Sequence, residues 1–164
     1  MRMLPLIAGF VCLALAAVAT AADDKAEAKG KPVDYEVYTS YFQKNNSGLK
    51  GDQSFVAITT QEGFDKIFGP ARVMKPQKFL PTDAFAKKMV AATIKRGKAI
   101  TTYKVDKVTS DGGTLYVQYE AMAKGGGGTA TYASPLIVAV DKGKYAEVVF
   151  IENGKKVGTA KVGK

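Results

Sequence analysis

Hydrophobic and polar positions alternate with a period of two along much of this chain, which is the spacing of β-strands. Tyr35, Val37, Thr39 and Tyr41 fall on one side and Glu36, Tyr38, Ser40 and Phe42 on the other, predicting one strand with aromatic residues on both faces. Asn45-Asn46-Ser47-Gly48 breaks the pattern, and the apolar stretch from Phe55 to Thr59 predicts a second strand. The period then changes. Phe64, Ile67 and Phe68 form one stripe at helical spacing, Thr59 and Glu62 stand as a capping box, and Gly69-Pro70 ends the pattern. A helix of about two turns is unstable alone in water, so its Phe/Ile face must pack against a sheet.

Residues 71–82 carry Pro76 and Pro81 and predict an irregular crossing, with Thr82-Asp83 opening a single turn that leads to Phe85. Met89 to Ile94 is continuously apolar, as expected of a central strand covered on both faces. The next two strands define their own register. With Asp111-Gly112-Gly113 as a three-residue loop, Ser110 faces Thr114, Val105 faces Tyr119 and Tyr103 faces Ala121, sharing an apolar face with Leu115 and Val117. The same register sets Lys104 opposite Glu120 on the other face. Gly125 to Gly128 reads as a flexible connector, since a phosphate loop needs Gly-Lys followed by Ser or Thr and here Lys124 precedes the glycines. Thr129 to Val140 predicts two short strands divided at Ser134-Pro135, an edge, bulge or sheet change. Asp141-Lys142-Gly143 turns the chain, and Asn153-Gly154 joins Val148–Glu152 to Lys155–Val162 as a hairpin whose last strand is an exposed edge guarded by lysines.

The first 21 residues follow different rules. Arg2, an apolar run from Leu4 to Val18 and Ala19-Thr20-Ala21 form the charged start, core and cleavage pattern of a secretory signal peptide. The run is short for a membrane span and Asp23 and Asp24 follow at once, so no stable anchor is expected after cleavage. The expected location is extracytoplasmic, periplasmic or secreted. Residues 22–32, rich in Ala, Lys, Asp and Glu, predict a flexible leader, and residues 33–164 a single β-rich domain. The fold class expected is mainly β: antiparallel sheets forming a small sandwich or partly open barrel, with one short helix.

Removal of the signal peptide takes away Cys12, the only cysteine, and the remaining chain has no His and no Trp. Thiol and imidazole nucleophile systems, zinc ligation by Cys or His and haem attachment through them are thereby excluded. Carboxylates remain, but none falls in a catalytic or calcium-loop motif, and Glu62, Glu120 and Asp111 read as cap, cross-strand partner and turn residue. No catalytic residue, metal ligand or cofactor is expected. The formal charge of +9 rests almost wholly on lysine, with Arg72 and Arg96 the only arginines beyond Arg2. Dispersed lysines suit solubility and attraction to an anionic envelope polymer better than reading of nucleic acid, which is not an expected partner. Tyr38, Tyr116 and Tyr132 are candidate contact residues, the first two on strand faces opposite the expected core and the third beside the glycine run. Lys155, Lys156 and Lys161 are the candidate polymer-binding residues.

The blocks Glu62-Gly63-Phe64-Asp65-Lys66-Ile67-Phe68, Phe85 to Ala92, Gly97, Thr101-Thr102-Tyr103 and Ser134-Pro135-Leu136-Ile137-Val138 resemble the C-terminal domain of the protease complex subunit PrcB family. The resemblance covers about Ser54 to Phe150, and Thr101-Thr102 stand where that family has a Gly pair before the strand tyrosine. It implies an exported, β-rich, non-catalytic domain that accompanies or restrains an extracellular protease. The expected function is accordingly that of a binding or accessory domain for an envelope or extracellular protein. The alternatives are binding of anionic envelope polymer and a carboxylate hydrolase, which needs two carboxylates about 5 to 9.5 Å apart in a pocket.

Overall fold

The computed structural model describes residues 26–71, 77–126 and 128–163, so the expected signal peptide, the start of the expected leader, Arg72, Pro76 and Lys164 lie outside the described residues. Eleven strands are present among them: β1 Lys31–Pro32, β2 Tyr35–Tyr38, β3 Tyr41–Gln43, β4 Gln53–Ile58, β5 Phe68–Pro70, β6 Lys88–Gly97, β7 Ile100–Asp111, β8 Thr114–Lys124, β9 Tyr132–Asp141, β10 Glu147–Glu152 and β11 Lys155–Lys161. Helix α1 spans Gln61–Ile67, and Ala84–Ala86 makes a single 3₁₀ turn. One sheet runs β1-β7-β8-β10-β11, a second runs β2-β9-β6-β4, and β3 with β5 forms a small ribbon. The fold is mainly β, built of largely antiparallel sheets that do not close into a barrel, as expected. One pairing departs from the expectation, because β8 and β10 run parallel, with β9 crossing through the other sheet between them.

The apolar residues of β6 divide between two cores, which is why its run from Met89 to Ile94 shows no alternation. Val90, Ala92 and Ile94 face Phe64, Phe68, Leu80 and Phe85 of the helical layer, whereas Met89 and Ala91 face Val117, Tyr119, Val148 and Phe150 of the five-stranded sheet. The helical stripe is core packing as expected: Phe64 lies 5.1 Å from Phe68 and 5.7 Å from Phe85, ring centre to ring centre. The helix cap is displaced by one residue. Thr60, not Thr59, caps α1, its hydroxyl accepting from the Gly63 amide.

The β7–β8 register is the expected one from Val105 outwards, with Val105 opposite Tyr119 and Lys104 opposite Glu120. Nearer the turn it is shifted by one, since Asp111 pairs with Thr114 and the loop is only Gly112-Gly113, both at positive φ. A bulge at Asp106 absorbs the difference. Asn153 and Gly154, at φ 50° and 78°, make the expected tight hairpin, and β11 is an edge strand.

Two further expectations are corrected. The strand expected from Tyr35 to Phe42 breaks at Thr39–Ser40, so β2 stays in its sheet while β3 leaves to pair with β5. The segment 22–32 is no free leader over its described part. Lys31 and Pro32 pair with Ser110 and Thr109, the Ala28 amide donates to Gln118 Oε1, and Lys107 pairs with Glu27 at 2.9 Å. Gly30 permits this approach, for at φ 91° it lies so close to β7 that a Cβ would stand 2.0 Å from the Ser110 carbonyl oxygen.

Candidate functional site

β9 is where the two sheets leave an opening. It was expected as two strands parted at Ser134-Pro135 and is one strand, paired with β6 along its whole length but with β2 only from Ile137 to Val140. Residues 132–136 therefore have a strand partner on one edge only, and Pro135 lies in this singly paired stretch, a placement that a residue without an N–H favours. The start of β7 crosses beside it. The Thr101 amide donates to Ser134 Oγ at 2.9 Å and the Tyr103 hydroxyl donates to the Ser134 carbonyl at 2.8 Å. Between the two lies a cleft of about 460 Å³ whose lining includes Val37, Tyr41, Ile100, Thr102 and Leu136. Ile100 stands at this cleft with 48% of its surface exposed. Tyr41 is fixed by its hydroxyl, which accepts from the Leu80 amide, and by edge-on packing against Phe64.

A second opening, of about 320 Å³, shares Ala133 with the cleft and is lined besides by Gln43, Asn45, Leu49, Arg96, Thr131 and Tyr132. Arg96 stands opposite Ala133 in the β6–β9 ladder. Its Nε donates to Gln43 Oε1 at 2.9 Å, and Nη1 donates to the Gly51 carbonyl at 2.9 Å and to Ser54 Oγ at 3.0 Å. Nη2 is buried and has no partner. All of these acceptors are neutral, and among the described residues no carboxylate forms an ion pair with Arg96. Burial pushes the guanidinium pKa downward because desolvation penalises its charge.

The chain, compared with known families, curated proteins and solved structures, matches none.

The three candidate tyrosines have three different fates. Tyr38 is buried at 2% exposure on the outer face of its sheet, where the helical layer covers it; its hydroxyl donates to Glu36, and Lys78 stands 5.1 Å above its ring. It is covered, by a layer that strand periodicity does not reveal, and it forms part of the wall of the cleft beside β9. Tyr116 is half-buried, packed with Ala26 and Ala28 of the leader against Val149 and Ile151. Tyr132 is exposed at 43% and lines the Arg96 opening. Lys155, Lys156 and Lys161 are exposed along the edge strand β11, away from both openings.

Sequence reasoning missed Arg96, Gln43 and the β7 segment Ile100–Tyr103 as site residues, because the opening is made by strands distant in sequence. One signal was available: Arg96 is a rare arginine in a lysine-rich chain, and a planar fork of donors is chosen where fixed geometry matters. Neither the cleft nor the Arg96 opening has a carboxylate in its lining, so no acid–base pair stands there. Glu152, the one buried carboxylate among the described residues, is occupied elsewhere: it pairs with Lys95 and accepts from Gln53 Nε2 at 3.1 Å and from the Tyr119 hydroxyl at 3.2 Å. Burial and the nearby Glu152 charge push the Tyr103 and Tyr119 hydroxyls well above the usual tyrosine range.

Proposed function

We propose that the protein is an exported, non-catalytic binding domain that holds an extended segment of an envelope or extracellular protein in the cleft beside the start of β9. The observation that carries this reading is the singly paired stretch 132–136 flanked by an apolar cleft, which offers strand edge and side-chain pocket together. Recognition by strand addition draws affinity from main-chain hydrogen bonds and selectivity from pockets for alternate side chains. Export rests on residues 1–21, and the PrcB-like blocks favour a protease as the partner.

A photo-crosslinker placed at Ile100 in the native host tests the binding site. The expected result is an adduct with one discrete protein, lost when Thr102→Lys fills the cleft. Absence of any adduct under conditions where the domain is folded overturns the reading. Export is checked separately by intact mass, which should correspond to a chain beginning at Ala22, and a full-length mass refutes it.

A second reading is favoured by the exposed Lys155, Lys156 and Lys161 on β11: attraction to an anionic envelope polymer. Such binding weakens steeply as salt rises past the range where screening acts within about 10 Å. Binding that is indifferent to salt rejects it.

A further inference from the structure

We infer that the Arg96 opening is a carboxylate-binding subsite, so that the segment held beside β9 presents a carboxylate next to Ala133. The inference rests on the preceding functional reading for its partner, but on separate atoms for its chemistry. Five observations converge. Arg96 carries a full charge among neutral acceptors, its Nη2 donor has no partner, no described carboxylate forms an ion pair with it, an opening of about 320 Å³ adjoins it, and exposed Tyr132 walls that opening.

A buried donor without a partner is costly, and an uncompensated charge more so. A water molecule would satisfy the hydrogen bond but leave the charge unpaired. A carboxylate satisfies both, and arginine binds it more strongly than any neutral acceptor. Gln43, Gly51 and Ser54 hold the guanidinium plane by Nε and Nη1, so the fork is oriented before a ligand arrives. Asn45 and Thr131 line the same opening and supply neutral polar groups for a second contact. Because Ala133 lines both the opening and the apolar cleft, a ligand extended along the start of β9 passes both, apolar side chain at one and carboxylate at the other. The carboxylate can be an acidic side chain or a chain terminus, since Arg96 recognises the group common to both.

Two titrations followed by NMR of the arginine Nε–H and tyrosine ring signals decide the matter. In the first, phenylacetate is compared with neutral phenylacetamide, which probes the subsite without the cleft. Saturable shifts of Arg96 and Tyr132 by phenylacetate only are expected, weakened about tenfold or more in Arg96→Gln. Arg96→Lys keeps the charge without the fork and should also bind more weakly, while Tyr132→Ala, at an exposed position, supplies a variant whose folding is not in question. Equal shifts by the amide, or shifts that persist in Arg96→Gln, overturn the inference. In the second, an acetylated Thr-Val-Thr-Val peptide is used with a free terminal carboxylate, as its amide, and as an amide closed by glutamate. Tighter binding of the first alone assigns a chain terminus, and of the third an acidic side chain. Equal binding of all three, with shifts at Ile100 and Leu136 but none at Arg96, keeps the cleft and removes the carboxylate subsite. No peptide binding while phenylacetate still binds removes the extended-segment reading and keeps the subsite.

Discussion

At the scale of single residues, the charged groups that matter are those with partners the lysine-rich composition conceals. Glu152 joins Lys95 and Gln53 of one sheet to Tyr119 of the other, so it pins the two sheets at one end. Glu152→Gln removes the charge that both Lys95 and two donors address, and is expected to lower stability by about 2 kcal/mol in denaturant unfolding. Tyr119→Phe should cost about 1 kcal/mol, and the double variant less than the sum, because both changes remove the same hydrogen bond. Glu36 acts differently. Hydrogen bonds from Lys88 first, then from Lys78 and Tyr38, hold its carboxyl at about 2, below the usual 4.5. A lowered carboxyl pKa contributes stability above the unfolded value that is lost as pH falls. Stability should therefore decline between about pH 4.5 and pH 2, and that decline should shrink in Glu36→Gln. With the Glu36 side chain 39% exposed, added salt should weaken the effect, and an acid-unfolding series at two ionic strengths measures it.

At the scale of elements, strands with a repeating pattern were legible and their assembly was not. Met89–Ile94 declared a doubly buried strand by lacking alternation, and Asn153-Gly154 declared its hairpin by needing positive φ. Lys104 opposite Glu120 was readable because charge and apolar faces demand one register. The bulge at Asp106 was not, since a two-residue Gly112-Gly113 turn and a three-residue loop differ by one position that a bulge can absorb. Tyr38 and Tyr116 defeated the same reasoning for a related cause: alternation tells which face a residue occupies, never what covers that face. The Arg96 opening joins β3, β6 and the approach to β9, and no local pattern links those segments. A related long-range contact is testable. A Cβ on Gly158 would stand 2.3 Å from the Phe55 ring, where edge strand β11 leans against β4. Gly158→Ala must displace a ring that also packs on Phe150, and should cost about 1 to 3 kcal/mol by thermal or denaturant unfolding.

At the scale of the whole molecule, four layers are stacked: the helical segment with the β3–β5 ribbon, the four-stranded sheet, the five-stranded sheet, and the leader lying on its outer face. The leader's Ala26 and Ala28 cover Val149, Ile151 and Tyr116, so a chain beginning at Val33 should bind an environment-sensitive apolar dye more strongly and unfold at lower denaturant. An unchanged midpoint and dye signal would show that residues 26–32 contribute nothing to the fold. Because β8 and β10 run parallel, the outer partner of β8 lies beyond β9 in the chain and cannot follow it as a hairpin. A chain synthesised only as far as Lys124 carries a β8 whose outer edge is open to a strand of any neighbouring copy, until β10 arrives to occupy it.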